Sequence, residues 1–134
     1  MRLFFDANTL FTAAHNPQGK ASFVVELGAR GHWVLCTSAY AVEEARRNLE
    51  AKFPGALPTL AALLGHFEIG AESRAHPCPE VLPAKDCPIY LAAHGCQATH
   101  LLTGDIKDFG PLMNQTKRTD GLVIQTVAQF LESL

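Results

Sequence analysis

Aspartate is scarce in this sequence, at five residues in 134. Other features are missing altogether, and each absence narrows the reading. No apolar run approaches the ~20 residues that a membrane-spanning helix needs. Only Arg2 precedes the short run Leu3-Phe4-Phe5, which ends at an acid, so no secretory signal is expected and a soluble, cytoplasmic protein is. No low-complexity stretch, internal repeat or long linker divides the chain, and residues 1–134 are expected to form one domain. An excess of basic charge is also lacking. The net charge of −2 excludes a general electrostatic grip on nucleic acid. It does not exclude a nuclease, because bound cations invert the field of an acidic site. There is no Gly-rich phosphate loop, no Ser-His-Asp or Cys-His nucleophile pattern and no CxxC pair. The four cysteines (Cys36, Cys78, Cys87, Cys96) are expected to be reduced and unpaired. Cys96-x3-His100 matches no closed structural-zinc spacing.

What the chain does contain is an alternation of apolar runs and helix-patterned segments. Arg2–Phe5, Trp33–Cys36, Thr99–Thr103 and Leu122–Ile124 read as strands, and Phe67–Ile69 as an outer strand. The runs do not alternate apolar with polar residues, which marks strands covered on both faces. Ala21–Ala29, a segment from a cap at Thr37 or Ser38 to Lys52, Leu57–Leu64, Asp86–His94 and Val127–Leu134 read as helices. Asn8 or Thr9 is expected to cap a helix after the first strand, and Asn16-Pro17-Gln18-Gly19 to form a turn. Pro77, Pro79 and Pro83 leave Ala71–Lys85 as a loop. Trp33 and the phenylalanines are expected in the core. Strands alternating with helices imply an α/β fold with a parallel sheet, whose ligands bind at the carboxyl ends of the strands.

Several acids fall where that rule matters. Asp6 directly follows the first strand, and Asp105 follows His100-Leu101-Leu102-Thr103-Gly104. Asp86 opens a helix, Asp108 lies three residues after Asp105, and Glu44 lies in the helix after the second strand. Converging carboxylates repel one another unless a cation sits among them, and hard divalent ions such as Mg2+ or Mn2+ take carboxylate oxygens. Glu43 and Glu44 point about 100° apart on a helix, so only one of them faces such a pocket. The spacing from Ser38 and the following Arg47-x-Leu49 favour Glu44. Taken singly, each acid has a plainer reading. Asp6 and Asp86 would cap helices, Glu44 would pair with Arg47 or Asn48 in solvent, and Asp105-x-x-Asp108 would be a polar loop.

Four stretches resemble, in order, the successive motifs of PIN-domain ribonucleases. They are Asp6-Ala7-Asn8-Thr9-Leu10, Glu44 before Arg47-Asn48-Leu49, Asp86-Cys87-Pro88-x-x-Leu91-Ala92-Ala93 and Leu102-Thr103-Gly104-Asp105. Leu122–Thr126 followed by Phe130-Leu131 is similar to that family's closing strand and helix. The resemblance spans nearly the whole chain and implies a three-layer α/β/α sandwich with a central, mainly parallel sheet. It implies that Asp6, Glu44, Asp86 and Asp105 hold one or two Mg2+ or Mn2+ ions, with Asp108 supplementing Asp105. Asn8 and Thr103 would orient the carboxylates by hydrogen bonds. The implied chemistry is metal-dependent hydrolysis of RNA phosphodiester bonds. A small standalone domain of this kind resembles the toxin half of a bacterial toxin–antitoxin pair, which implies a homodimer and an antitoxin protein that covers or enters the acidic pocket. Arg46, Arg47, Lys85 and Lys107 are the local bases for phosphate contacts. Lys85 stands where many relatives carry a second acid, placing a cation near the substrate phosphate instead. Two other functions stand beside this one. One is a catalytically silent module of the same fold that recruits RNA or protein. The other is an α/β domain that accepts phosphate on Asp6, for which Lys107, in a loop, is poorly placed as the partner lysine.

Overall fold

In a computed structural model, which describes residues Met1–Leu134, the alternation folds into a five-stranded sheet. The strands are β1 (Arg2–Phe5), β2 (Val34–Ser38), β3 (Phe67–Gly70), β4 (His100–Leu102) and β5 (Val123–Gln125). The helices are α1 (Ala7–His15), α2 (Lys20–Ala29), α3 (Ala39–Lys52), α4 (Leu57–Leu64), α5 (Cys87–Gly95), α6 (Ile106–Phe109) and α7 (Val127–Glu132). Strand order is β3-β2-β1-β4-β5, and every neighbouring pair is parallel. The chain builds outward from β1 to β2 and β3, then returns across β1 to β4 and β5. Parallel crossovers are right-handed, so this reversal puts α1 to α4 on one face and α5 and α6 on the other. Helix α7 packs on α2 and joins the first layer. The result is a three-layer α/β/α sandwich. Its direction reverses between β1 and β4, where an open parallel sheet forms a crevice at the carboxyl ends.

Cover on both faces explains the unbroken apolar runs. Leu3, Phe4, Phe5, Leu101 and Leu102 are fully buried. Edge strand β3 behaves differently: Glu68 and Ile69 are exposed, and Arg2 donates to Glu68 Oε1 at 2.8 Å. Trp33 meets Phe130 edge-on at 5.2 Å and donates its indole N–H to the Val24 carbonyl.

Several expectations are corrected here. Helix α1 begins one residue after β1, capped by Asp6 itself and not by Asn8 or Thr9, because the Asp6 carboxylate accepts the Ala7 N–H. Ser38 caps α3 through the Ala41 N–H, and Thr126 and Gln129 form a capping box on α7. Helix α6 has four residues, one turn, too short to leave a periodic pattern. Phe23 and Phe53 are exposed, so the phenylalanines are not all core. Cys36 and Cys96 are buried free thiols, but Cys78 and Cys87 form a disulfide, against the expectation of unpaired thiols. The proline-bent loop turns the chain back, so that the two Cα atoms lie 5.8 Å apart, within bridging range.

Candidate metal centre

The site starts from strand register. Phe5 and Leu102 are partners in the β1–β4 pairing, so the next residues, Asp6 and Thr103, leave the sheet side by side. The Asp6 N–H donates to the Leu102 carbonyl at 3.1 Å. The Thr103 hydroxyl donates to Asp6 Oδ2 at 2.7 Å. Asn8 donates its amide to the same Oδ2 at 3.3 Å and to Thr103 Oγ1 at 3.4 Å, while its own Oδ1 accepts the Gly104 N–H at 2.8 Å. Thr103 Oγ1 also accepts the Asp105 N–H at 3.1 Å. A hydroxyl has one donor and two acceptor sites, and all three of Thr103's are used. Asn8 and Thr103 therefore tie the ends of β1 and β4 into one rigid unit.

Burial sets the electrostatics. Asp6 is only 5 % exposed. Desolvation pushes its carboxyl up to about 6 against the lowering pull of the Thr103 and Ala7 hydrogen bonds, with Glu44 and Asp105 adding repulsion. Asp86 stands at the start of α5, yet its side chain makes no capping bond, and its buried Oδ2 has no hydrogen-bond partner. Burial, then a hydrogen bond to the Asp108 carboxylate that forms only when Asp86 holds a proton, push Asp86 up to about 6 against the opposing pull of Lys85. Asp105 does cap its helix, Oδ1 accepting the Asp108 N–H at 3.0 Å. The Lys85 ammonium lies 2.9 Å from Asp108 Oδ2, which holds Asp108 below the usual carboxylate range and raises Lys85.

Asp86, Asp105 and Asp108 each offer an oxygen, all within 4.8 Å of one another. Beside them a recess of about 190 Å3 is lined by Asp6, Glu44, Asp86 and Asp105, with Lys85 and Asn48 among the remaining lining residues. The five acids singled out in the sequence thus lie at one end of the sheet, delivered by β1, α3, the start of α5 and the chain after β4. Glu44 lines the recess, whereas Glu43 pairs with Arg46 at 2.7 Å. Of the four bases, only Lys85 reaches this place. Arg46 is held between Glu43 and Glu50, Arg47 lies 3.7 Å from Glu43, and neither lines the recess. Lys107 is exposed on α6 and forms no ion pair.

Sequence reasoning missed three residues. Tyr40 and Asn48 also line the recess. They lie one helical turn before and after Glu44, a spacing that puts all three on one face once Glu44 is chosen. The third is Lys20. A larger cleft of about 570 Å3 shares Asn8, Thr103 and Asp105 with the acidic centre and continues past Thr12, Lys20 and Thr126. Lys20 is its only basic residue, and no motif marks it. As donors, the acids suit a hard divalent cation: every one is an oxygen, and the orphaned Asp86 Oδ2 lacks the partner that buried polar atoms ordinarily have.

No family model matches the chain, and no curated protein matches it. Among solved structures it is similar to a chain of VapBC2 from Rickettsia felis, solved bound to a DNA fragment from their promoter. The TM-score is 0.67 at 19% sequence identity, and the match covers 94% of this chain and 98% of that one. At that identity the likeness establishes the fold. It agrees with the α/β/α architecture implied by the resemblance to PIN domains.

Proposed function

We propose that this chain is a Mg2+- or Mn2+-dependent endoribonuclease of the PIN type, a single nuclease domain over residues 1–134, and the toxin of a toxin–antitoxin pair. The observation that carries this is Asp86, which opens α5 without capping it. Its buried Oδ2 is unpartnered while Asp105 stands within 4.8 Å and Asp6 and Glu44 line the same recess. Leaving a buried acceptor unsatisfied costs about 1–3 kcal/mol, and like charges add to that. A divalent cation removes both penalties. Asp6, Glu44, Asp86 and Asp105 would hold it, with Asp108, already paired with Lys85, supplementing Asp105 through water. When bound, such an ion supplies a Lewis acid for phosphodiester hydrolysis and positive charge opposite the leaving oxygen.

The chain's own residues prepare the site. Thr103 and Asn8 fix the Asp6 carboxylate, an outer layer of hydrogen bonds that orients a ligand before the ion arrives. Glu44 is exposed on α3 and needs no buried partner before a cation binds. The cleft that adjoins the centre offers Lys20 and the hydroxyl of Thr126 to a sugar–phosphate backbone, so an RNA strand laid in it reaches Asp105. The toxin role, a homodimer and an antitoxin partner rest on the sequence resemblance to standalone PIN domains. The similarity of fold to a chain of VapBC2 is in keeping with them.

Cleavage of single-stranded RNA by purified protein with Mn2+ tests the assignment. Activity that falls to background in Asp6→Asn and Asp105→Asn supports it, and equal cleavage by wild type and both variants overturns it. One observation favours the silent module instead, namely that Lys85 already neutralises Asp108. Calorimetry that finds no Asp105-dependent Mn2+ binding would select that reading.

A further inference from the structure

We propose that the Lys85 ammonium is the built-in second cation of the acidic centre, so that the centre takes one divalent ion where two-ion phosphodiester hydrolases take two. This rests on the metal-dependent reading above and adds the number of ions and the residue that sets it. The acids form two adjoining groups that share Asp86 and Asp105. On one side these two line the recess with Asp6 and Glu44. On the other, Asp108 completes a set of three oxygens within 4.8 Å. Two-ion sites bridge such neighbouring groups with ions ~3.5–4 Å apart. Lys85 borders that recess too, but its Nζ stands 2.9 Å from Asp108 Oδ2, so the second group already carries its positive charge.

An ordinary exposed lysine–aspartate pair contributes little, and the Lys85 side chain is 70 % exposed. Three features set this pair apart. Asp108 is only 12 % exposed, so losing the ammonium strands a mostly buried carboxylate beside two others. Lys85 immediately precedes Asp86, which tethers the ammonium to the centre at a high effective concentration. Its backbone is also held on two sides. The Tyr40 hydroxyl donates to the Lys85 carbonyl at 3.2 Å, and the Cys78–Cys87 disulfide closes the loop that carries it. A divalent ion entering the second group must displace a charge that cannot diffuse away. An ammonium has three N–H donors, and those not spent on Asp108 remain for a phosphate oxygen, so Lys85 acts on the substrate's charge without an ion in that place.

Counting bound Mn2+ on the full chain tests this, by loss of the free-ion electron paramagnetic resonance signal together with calorimetry. The expected result is one Mn2+ per chain in wild type, two in Lys85→Met, and one again in Lys85→Met/Asp108→Asn. Methionine keeps an unbranched stem without charge at an exposed position, and circular dichroism verifies the fold. Two ions in wild type, one in Lys85→Met, or two in the double variant each overturn the proposal and leave the nuclease assignment standing. No Mn2+ bound to wild type overturns that assignment and the role of Lys85 with it.

Discussion

Thr103 and Asp6, 97 residues apart in sequence, are joined by a hydrogen bond of 2.7 Å from the threonine hydroxyl to aspartate Oδ2. The same hydroxyl accepts from the Asn8 amide and the Asp105 N–H. One side chain therefore fixes a buried acid after β1 and the backbone that leads to a second acid after β4. Thr103→Val keeps the shape and removes the hydroxyl, leaving the Asp105 N–H without its acceptor. The expected loss is about 1–3 kcal/mol of stability in urea unfolding and a roughly 10–100-fold weaker Mn2+ affinity by calorimetry. Thr103→Ser should recover most of both. Unchanged Mn2+ affinity in the valine variant would remove the orienting role.

Asp6 makes stability depend on pH in a definite direction. Its carboxyl is raised from 3.8 to about 6 in the folded chain, so the folded state holds the proton more tightly than the unfolded one. That contribution to stability is present below pH 3.8 and is lost as pH rises through about 6. The rise corresponds to about 3 kcal/mol. Asp6→Asn cannot ionise. Without divalent ions it should exceed wild type by up to about that amount near neutral pH, and the gap should close toward the acid end. Urea unfolding of both proteins across the range measures it, and a gap independent of pH would contradict the buried-carboxylate account.

Lys20, not Arg46, is the base expected to touch RNA beside Lys85. Lys20 lines the cleft that adjoins the acids, whereas Arg46 is taken up by Glu43 and Glu50. In an Asp105→Asn background, expected to prevent cleavage, Lys20→Ala should weaken single-stranded RNA binding. It should also flatten the dependence of log affinity on log salt by about 0.7. Arg46→Ala should change neither in fluorescence anisotropy. An equal effect of both substitutions would mean that the strand lies elsewhere.

The Cys78–Cys87 bond closes a loop with a sequence separation of nine. Closing a loop of that size restricts the unfolded chain by about 2–3 kcal/mol. A reducing agent should therefore lower the thermal midpoint of wild type and leave that of Cys78→Ser unchanged. Identical midpoints for wild type with and without reductant would show that the bond contributes nothing to stability.

The elements most legible in the sequence are those governed by near neighbours. Strand β1 and helix α4 occupy the residues that apolar pattern and breakers indicate, Arg2–Phe5 and Leu57–Leu64. The cap of α1 is less legible, because Asp6 is the single residue between β1 and α1 and both leaves the strand and caps the helix. Arg46 stands out by its charge, yet Glu43 and Glu50 at three and four residues' distance offer it partners along the same helix. Helix α6 and the disulfide left no local trace. One is a single turn, and the other depends on the path of a loop.

Local pattern along the chain places the five strands and the longer helices, an acid at the end of β1 and another after β4. Those features follow from side-chain period, capping and buried apolar runs, which act over a few residues. The packing of distant segments turns Asp86 toward Asp105 and Asp108, leaves α5 without a side-chain cap and sets Lys85 on Asp108. It also puts Lys20 in one cleft with Asp105. These depend on β4 pairing beside β1 and on the route of the chain between β3 and α5. Contacts between residues far apart in sequence are set by sheet order and packing, and no local pattern encodes them.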